Sequence, residues 1–402
     1  MTVGGSTRDA DVVIVGLGAL GSAAAYWASR RPGLRVVALE QFELGHPYGA
    51  SEDVSRIVRL SYHRREYVRL ARRAFETWAE VEREARRQVI VRTGGLDVGP
   101  RESAEGVAID LSEYIAAMDA EGVPFERLDA DEIVRRWPAW RLDERHTGIF
   151  QADAGLADPS HGNAAHRELA RAQGAELREH ARVVGATEAG GEVTIALADG
   201  SQVRAASLIL ATDAWTNELL APLGLDLPLT VTQEQVSWFE PSGDPTLFAP
   251  ERFPIWIWMD EPSFYGFPTW SLGGPKIGQD VGGKPVTPAT RTFDRDPDAW
   301  ARTTAFLGEH LPAMAAGSVL QTKTCLYTLT PDRDFVLDRL PGHERTWLVL
   351  GSAHAYKFAS VLGRILVELA IDGATPSAGE LGPFAIDRPI LRDPDPVTTF
   401  VV

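Results

Sequence analysis

The chain is poor in two residue types, cysteine and lysine, and both shortages limit what it can be. Only one of its 402 residues is a cysteine, Cys325, which excludes an intramolecular disulfide framework and a metal site built from several cysteines. Only four of the 40 basic residues are lysines, namely Lys276, Lys284, Lys323 and Lys357, and the others are arginine. Each lysine is therefore a candidate for a role that suits a compact ammonium.

Long apolar runs and a basic charge balance are also missing. No segment approaches the roughly 18 consecutive apolar residues of a membrane span, and the N-terminal MTVGGSTRDA lacks the regions of a signal peptide. With 56 acidic residues the formal net charge is −16, which argues against nucleic acid or an anionic membrane surface as a partner. We expect a soluble cytoplasmic protein with an ordinary core, since 44% of its residues are hydrophobic.

A glycine motif between two buried-strand patterns predicts a dinucleotide-binding βαβ unit. The run DVVIVG leads into GLGALG, in which Gly16, Gly18 and Gly21 fit G-x-G-x-x-G, and an alanine-rich helical segment and the strand-like RVVALE follow. Glu40 ends the second strand about 20 residues after the motif, where an acid can bind ribose hydroxyls. The alternative is a glycine turn in an α/β domain that binds no nucleotide.

Patterns farther along the chain predict a second, sheet-rich unit inserted into the first. Residues 51–90 have helical periodicity with a solvated arginine face, and a later helix is expected to begin with Ser160 as its cap. Alternating aromatic and apolar residues over 228–295 are typical of an antiparallel sheet. The strand-like SLILATDAW and TWLVLGSAH return the chain to the nucleotide unit. The fold class is therefore α/β plus α+β, with the ligand at the interface between the units.

Several short blocks in the same order resemble monomeric sarcosine oxidase and N-methyltryptophan oxidase, over residues 10–390. The blocks are GLGALG, SRIVR (Ser55 to Arg59), DAW (Asp213 to Trp215), YGFP (Tyr265 to Pro268), LGGPKIG (Leu272 to Gly278), KTCLYT (Lys323 to Thr328) and AHAYKF (Ala353 to Phe358). This resemblance implies a discontinuous Rossmann-type FAD-binding domain (1–90, 152–222 and 324–390) and an antiparallel-sheet substrate domain (91–151 and 223–323). It also implies a monomer that acts on a small amino acid and O2.

The resemblance implies roles around the flavin. Cys325 matches the cysteine that binds the 8α-methyl group of FAD, although by composition alone a lone cysteine is more often a small buried hydrophobe. Lys276 matches a lysine that promotes oxygen reduction; the alternative is a turn lysine between glycines. Arg56 and Tyr265 complete the predicted catalytic group with Lys276. His354 matches a histidine near the flavin; the alternative is a turn histidine that only hydrogen-bonds the backbone.

The substrate site is implied in the same way. Arg59 and Lys357 match the pair that binds the substrate carboxylate, which suits a planar guanidinium and an ammonium. The alternatives are a surface arginine within an arginine-rich segment and a helix-face lysine whose stem covers apolar surface. Tyr327, like Tyr265, matches a cavity tyrosine.

Two positions depart from the sarcosine oxidase pattern. Asp280 and Glu52 stand where that enzyme has histidines, and if they point inward the pocket favours a substrate with an extra cationic or hydroxyl group. We therefore expect an FAD-dependent oxidase of N-methyl or cyclic amino acids that forms an imine and hydrogen peroxide. The alternatives are a flavin dehydrogenase with another electron acceptor and an NAD-binding Rossmann protein.

Overall fold

A computed structural model of the chain describes residues 8–101 and 111–398. Residues 1–7, 102–110 and 399–402 lie outside the described residues, and so does the part of the helical prediction that covers 104–110. The strands in the described part are β1 (Ala10–Val15), β2 (Val36–Leu39), β3 (Arg56–Val58), β4 (Ile90–Arg92), β5 (Gly95–Pro100), β6 (Glu126–Asp129), β7 (His146–Gln151), β8 (Gly155–Ala157), β9 (Glu176–Arg178), β10 (Val183–Ala189), β11 (Glu192–Leu197), β12 (Gln202–Leu210), β13 (Thr230–Glu240), β14 (Ile255–Trp258), β15 (Phe264–Phe267), β16 (Lys276–Gln279), β17 (Lys284–Pro285), β18 (Ser318–Leu329), β19 (Val336–Arg339) and β20 (Thr346–Leu350). The α-helices there are α1 (Ala19–Ser29), α2 (Arg65–Ala85), α3 (Leu111–Ala120), α4 (Ala130–Arg136), α5 (Pro159–Ala172), α6 (Thr216–Leu220), α7 (Pro297–His310), α8 (Pro312–Ala315) and α9 (Ala359–Val367).

A sheet with a parallel centre carries the glycine motif. Its order is β10-β11-β12-β1-β2-β9, with β20 paired to β12 and β19 paired to β20. β1 is parallel to both β2 and β12, and its apolar residues are buried because helices cover such a sheet on its faces. α1 packs closely on α9, where a methyl group on Gly363 would lie 2.7 Å from Ala23. The predicted strand–helix–strand unit is confirmed.

A second sheet is built mostly from the aromatic region. Its order is β17-β13-β16-β15-β14-β5-β7-β6, with β18 also paired to β13. The expected antiparallel pairing holds for β13 to β17, whereas β14 runs parallel to β5. Its core is aromatic: Phe306 of α7 stacks on Trp256 and Phe264, at centroid distances of 5.7 and 4.4 Å. The chain is thus a mixed α/β fold with several sheets.

β13 lies between two strands that carry predicted site residues. Trp238 pairs with Lys276 of β16, and Glu234 pairs with Cys325 of β18. Side chains alternate between the faces of a strand, so these pairings determine which side chains can meet.

Two local predictions are wrong. Residues 51–64 are not helical: β3 lies there and pairs with β8, which also pairs with β4, and α2 begins only at Arg65. The cap of α5 is Asp158 and not Ser160, because Pro159 occupies the first helical turn and the Asp158 carboxylate accepts the N–H of His161.

Candidate active site

One end of a deep cleft is formed by the loop between β1 and α1. Gly16 has φ of +91°, and a side chain there would lie 2.4 Å from the carbonyl oxygen of Ala211. A methyl group on Gly21 would lie 1.8 Å from the Gly16 oxygen, and one on Gly18 would lie 2.6 Å from the Ser51 hydroxyl. Because only glycine fits, the backbone is bare at the N-terminus of α1, as a pyrophosphate site requires.

Glu40 stands at the end of β2 beside this loop and lines the cleft. Its carboxylate accepts the backbone N–H of Leu17 at 2.8 Å and that of Phe42 at 3.1 Å. Burial alone would raise the pKa of Glu40, but its contacts with His46 and these N–H groups hold the pKa below its usual value. The acid is therefore ionised and fixed, as a ribose-binding residue needs to be.

Lys276 belongs to a buried ion cluster just behind the cleft wall. Its Nζ lies 2.5 Å from the Asp53 carboxylate, 3.1 Å from the Ser55 carbonyl oxygen and 3.3 Å from the Ser55 hydroxyl. Asp53 also binds Arg56, and both of these residues line the cleft, whereas the Lys276 side chain is 1% exposed. Burial lowers the pKa of Lys276 to about 8, although Asp53 acts to raise it.

Cys325 of β18 is half-buried and lines the same cleft. Burial raises the pKa of its thiol to about 11, and Arg56 acts in the opposite direction. Tyr265 and Tyr327 lie on the cleft wall with their hydroxyl oxygens 3.3 Å apart. Burial also raises the pKa of Tyr265 above its usual value, so both rings present O–H groups and not phenolates.

Arg59 and Lys357 both line the cleft and lie beside the same aromatic ring. Arg59 is 4% exposed, and its Nη1 lies 3.2 Å from the Asp97 carboxylate. Its guanidinium carbon is 5.0 Å from the Tyr62 ring, and the Lys357 Nζ is 5.5 Å from the same ring. Burial, with Arg59 as the next cause, lowers the pKa of Lys357 to about 7. Two cations near one apolar wall can bind a carboxylate.

Asp280 and Glu52 both line the cleft, and each is paired with an arginine. The Asp280 carboxylate accepts from Arg333 at 2.9 and 3.3 Å, so its negative charge enters the cleft together with a compensating cation. Glu52 accepts from Asn163 at 3.2 Å and from Arg167 at 3.4 Å, on the side of the cleft that α5 forms. The structure therefore groups Asp280 with Lys357 and Arg333, and Glu52 with α5.

His354 lies in the turn after β20 and lines the cleft. One ring nitrogen is 2.8 Å from the carbonyl oxygen of Arg333. Burial holds the pKa of His354 well below its usual value, so the ring is neutral.

Sequence reasoning missed Asp53 and Arg333, which line the cleft, and Asp97, which binds Arg59. Asp97 left a local signal, because it is an acid inside the strand-like LDV, where a buried charge needs a partner. Asp53 lies three residues before Arg56, one of its partners, but nothing nearby in the chain indicates Lys276 as the partner of Asp53 or Asp280 as the partner of Arg333. The Asp53–Lys276 and Arg333–Asp280 pairs join residues more than 50 positions apart.

Within residues 8–101 and 111–398, no three His, Cys, Asp or Glu side chains are grouped so that they could hold a metal ion. In the same part of the chain, no helix is both long and apolar enough to cross a membrane.

Comparisons with known proteins agree with this geometry. Residues 11–369 match the family described as "FAD dependent oxidoreductase" (DAO). The chain is 33% identical over 390 residues to monomeric sarcosine oxidase of Bacillus sp. (strain B-0618), with 95% of this chain and 97% of the relative covered. It is 31% identical to N-methyl-L-tryptophan oxidase of Salmonella heidelberg (strain SL476), with coverages of 94% and 98%. It also resembles the solved structure of NikD, "an unusual amino acid oxidase essential for nikkomycin biosynthesis", with a TM-score of 0.81, 29% identity and coverages of 94% and 98%.

Proposed function

The chain belongs to the family of FAD-dependent oxidoreductases, and from that premise we propose that it is an oxidase of secondary amino acids. Its substrates are N-methyl or cyclic amino acids, its products are an imine and hydrogen peroxide, and O2 is the electron acceptor. One observation carries the proposal: a single cleft is lined both by the bare glycine loop and by the paired cations Arg59 and Lys357.

The residues at the glycine-loop end fit FAD. Gly16, Gly18 and Gly21 would hold its pyrophosphate at the start of α1, and Glu40 would bind its ribose. Cys325 would form a thioether to the flavin, and the nearby Arg56 favours the thiolate that this bond requires. The sheet around β1 supports an FAD-binding domain of residues 1–90, 152–222 and 324–390, and the aromatic sheet supports a substrate domain of 91–151 and 223–323; β18 crosses their last boundary.

Arg59 and Lys357 would bind the substrate carboxylate and thereby fix the direction in which the amine points. Asp97 holds Arg59 from behind, so the guanidinium keeps one orientation before substrate arrives. The neutral hydroxyls of Tyr265 and Tyr327 lie in the same cleft and would offer hydrogen bonds to the substrate nitrogen. When bound, FAD would supply the redox chemistry, taking a hydride equivalent from the C–H next to that nitrogen and passing two electrons to O2.

The cluster of Lys276, Arg56 and Asp53 supports O2 as the acceptor. Two cations share one carboxylate there, which leaves one net positive charge at the cleft wall. A fixed positive charge stabilises the superoxide that forms when O2 takes up its first electron.

The test is a peroxide-release screen of the purified holoenzyme over N-methyl and cyclic amino acids. Each amino acid is paired with its methyl ester, which has the same amine but no carboxylate. We expect peroxide from at least one acid and little from its ester. In the Lys357→Met variant the preference for the acid should shrink, whereas Lys284→Met, at an exposed surface lysine, should keep it. Reduction of a dye without any peroxide would instead make the protein a dehydrogenase.

The covalent bond has its own test. Acid precipitation of the holoenzyme should give a yellow pellet, and the Cys325→Ala variant should release its flavin into the supernatant. Flavin that remains in the pellet after this substitution would rule out Cys325 as the attachment point.

A further inference from the structure

The buried ion cluster contains a carboxylate that neither nucleotide binding nor substrate binding uses. Asp53 lies in the loop before β3, and its Oδ2 accepts from both Lys276 and Arg56. One of its oxygens also accepts the backbone N–H of Val54 at 2.7 Å. Asp53 lines the cleft, whereas the Lys276 side chain that it contacts is 1% exposed and does not line it.

The surroundings of Lys276 do not by themselves favour a charge. Its Nζ lies 5.1 Å from the Trp238 ring centroid and 4.8 Å from that of Phe267, on the strands at either side of β16. A buried ammonium without a counter-charge loses its proton readily. Aromatic faces attract a cation but do not replace the solvation that water gives.

The other groups around the ammonium do not supply that counter-charge. Arg56 is a cation and opposes the charge on Lys276, while Cys325 of β18 and Tyr265 of β15 are protonated neutral groups. Ser55 contributes a carbonyl and a hydroxyl oxygen, which are neutral acceptors. Asp53 is therefore the carboxylate in direct contact with the Lys276 ammonium.

We propose that Asp53 is a positioning residue that keeps Lys276 protonated and fixed behind the cleft wall, and so sustains the reaction of the reduced enzyme with O2. This inference rests on the proposed function, because it assigns the Lys276 charge to oxygen reduction. It assigns Asp53 no contact with substrate and no proton transfer.

The small number of lysines allows a direct test that does not depend on activity. Holoenzyme labelled with 13C at lysine Cε has four such signals, and the Lys276→Met variant identifies the one that belongs to Lys276. In wild-type protein this signal should titrate near pH 8. In Asp53→Asn its midpoint should fall by more than one pH unit, because the counter-charge is gone. Asp53→Glu, which keeps the charge, should restore much of the midpoint.

A matched control is available on the surface. Lys284 lies 2.8 Å from Asp296, and its side chain is 60% exposed. Asp296→Asn should leave the Lys276 midpoint unchanged. If the Lys276 midpoint is the same in Asp53→Asn as in wild type, the inference is overturned.

The second test measures how fast the reduced holoenzyme is reoxidised by O2 as a function of pH. A fall in midpoint from about 8 to about 6 lowers the protonated fraction at pH 7 about tenfold. Asp53→Asn should therefore be reoxidised about tenfold more slowly at pH 7 and should recover as the pH is lowered. In a Lys276→Met background Asp53→Asn should add almost nothing, because the effect passes through Lys276.

Other results separate the possible failures. If Asp53→Asn is reoxidised faster than wild type, the carboxylate screens the Lys276 charge, and the inference is overturned. If Asp53→Asn slows the reaction equally with and without Lys276, its role is independent of the lysine, which also overturns the inference. If Lys276→Met alone has no effect on reoxidation, the proposed oxygen role of Lys276 fails, while the titration still tests the anchoring by Asp53.

Discussion

Replacing Lys357 with Met should abolish the pH dependence of carboxylate binding in the cleft. Lys357 is half-buried beside Arg59. Burial and the Arg59 charge lower the pKa of Lys357 to about 7, so the free enzyme loses this cation as the pH rises through neutrality. A bound carboxylate favours the charged form and raises the pKa again. Ligand binding should therefore be tight below pH 7, weaken as the pH rises above 7, and take up a proton at pH 8.

The magnitude follows from the contact that is lost. A hydrogen bond to a charged group contributes about 1.5–3 kcal/mol, which corresponds to a roughly 10- to 150-fold change in Kd. Between pH 6 and pH 9 the Kd of wild-type protein should rise by a factor in this range. Lys357→Met should bind at every pH about as weakly as wild type at pH 9. Lys357→Arg, which stays charged, should not weaken as the pH rises.

Isothermal titration calorimetry of the holoenzyme with tetrahydro-2-furoate measures these constants. This ligand has the shape of a cyclic amino acid and lacks the nitrogen that oxidation requires. The backbone at position 357 is held by the Trp78 indole N–H, which donates to the Lys357 carbonyl oxygen at 2.9 Å, so the substitution should leave the local fold intact. An equal Kd at pH 6 and pH 9 in wild type, or an unchanged pH dependence in Lys357→Met, would refute the reasoning.

Three further predictions concern the cofactor end and stability. Gly21→Ala should abolish flavin binding, because the added methyl group would lie 1.8 Å from a backbone oxygen of the same loop. The flavin absorbance per protein measures this effect. As a control, Gly308→Ala should bind flavin normally, because its methyl group would meet no described atom within 4 Å outside its own helix. Glu40→Gln in a Cys325→Ala background should release flavin faster on dilution, since the fixed negative charge is lost. Lys357→Met should raise Tm, and by more at pH 6 than at pH 9. The pKa of Lys357 is about 7 in the folded protein and 10.5 in the unfolded chain, so its charge lowers the free energy of unfolding most at pH 6, where the folded protein carries that charge.

The elements with strong local signals were predictable. For β1 the apolar run DVVIVG and the glycines that follow it indicated both the strand and the turn, and the observed strand, Ala10–Val15, differs from the prediction by one residue at each end. The cap of α5 was also predictable in principle, because Pro159 marks the first helical turn and so indicates Asp158.

Residues 51–64 could not be assigned from local pattern. The segment SRIVR fits a helical and an extended period equally, and its strand conformation depends on pairing with β8, about a hundred residues later in the chain. The same limit applies to the site. Arg59 and Lys357 were expected to meet through the family resemblance. The pairing of Arg59 with Asp97 and that of Asp280 with Arg333 depend on the assembled sheets.

The position of β13 has a consequence for any attempt to graft this chemistry onto another scaffold. Glu234 of β13 pairs with Cys325 of β18, and Trp238 of β13 pairs with Lys276 of β16. Because Glu234 and Trp238 are four residues apart, the two pairings lie about 14 Å apart along β13. β13 therefore fixes the spacing between Lys276 and Cys325 along the strand direction. One residue inserted between Glu234 and Trp238 would shift β16 relative to β18 by about 3.4 Å and turn the side chains of one of these strands to the opposite face of the sheet. A graft onto another scaffold would therefore have to include β13, β16 and β18 together, in their present register.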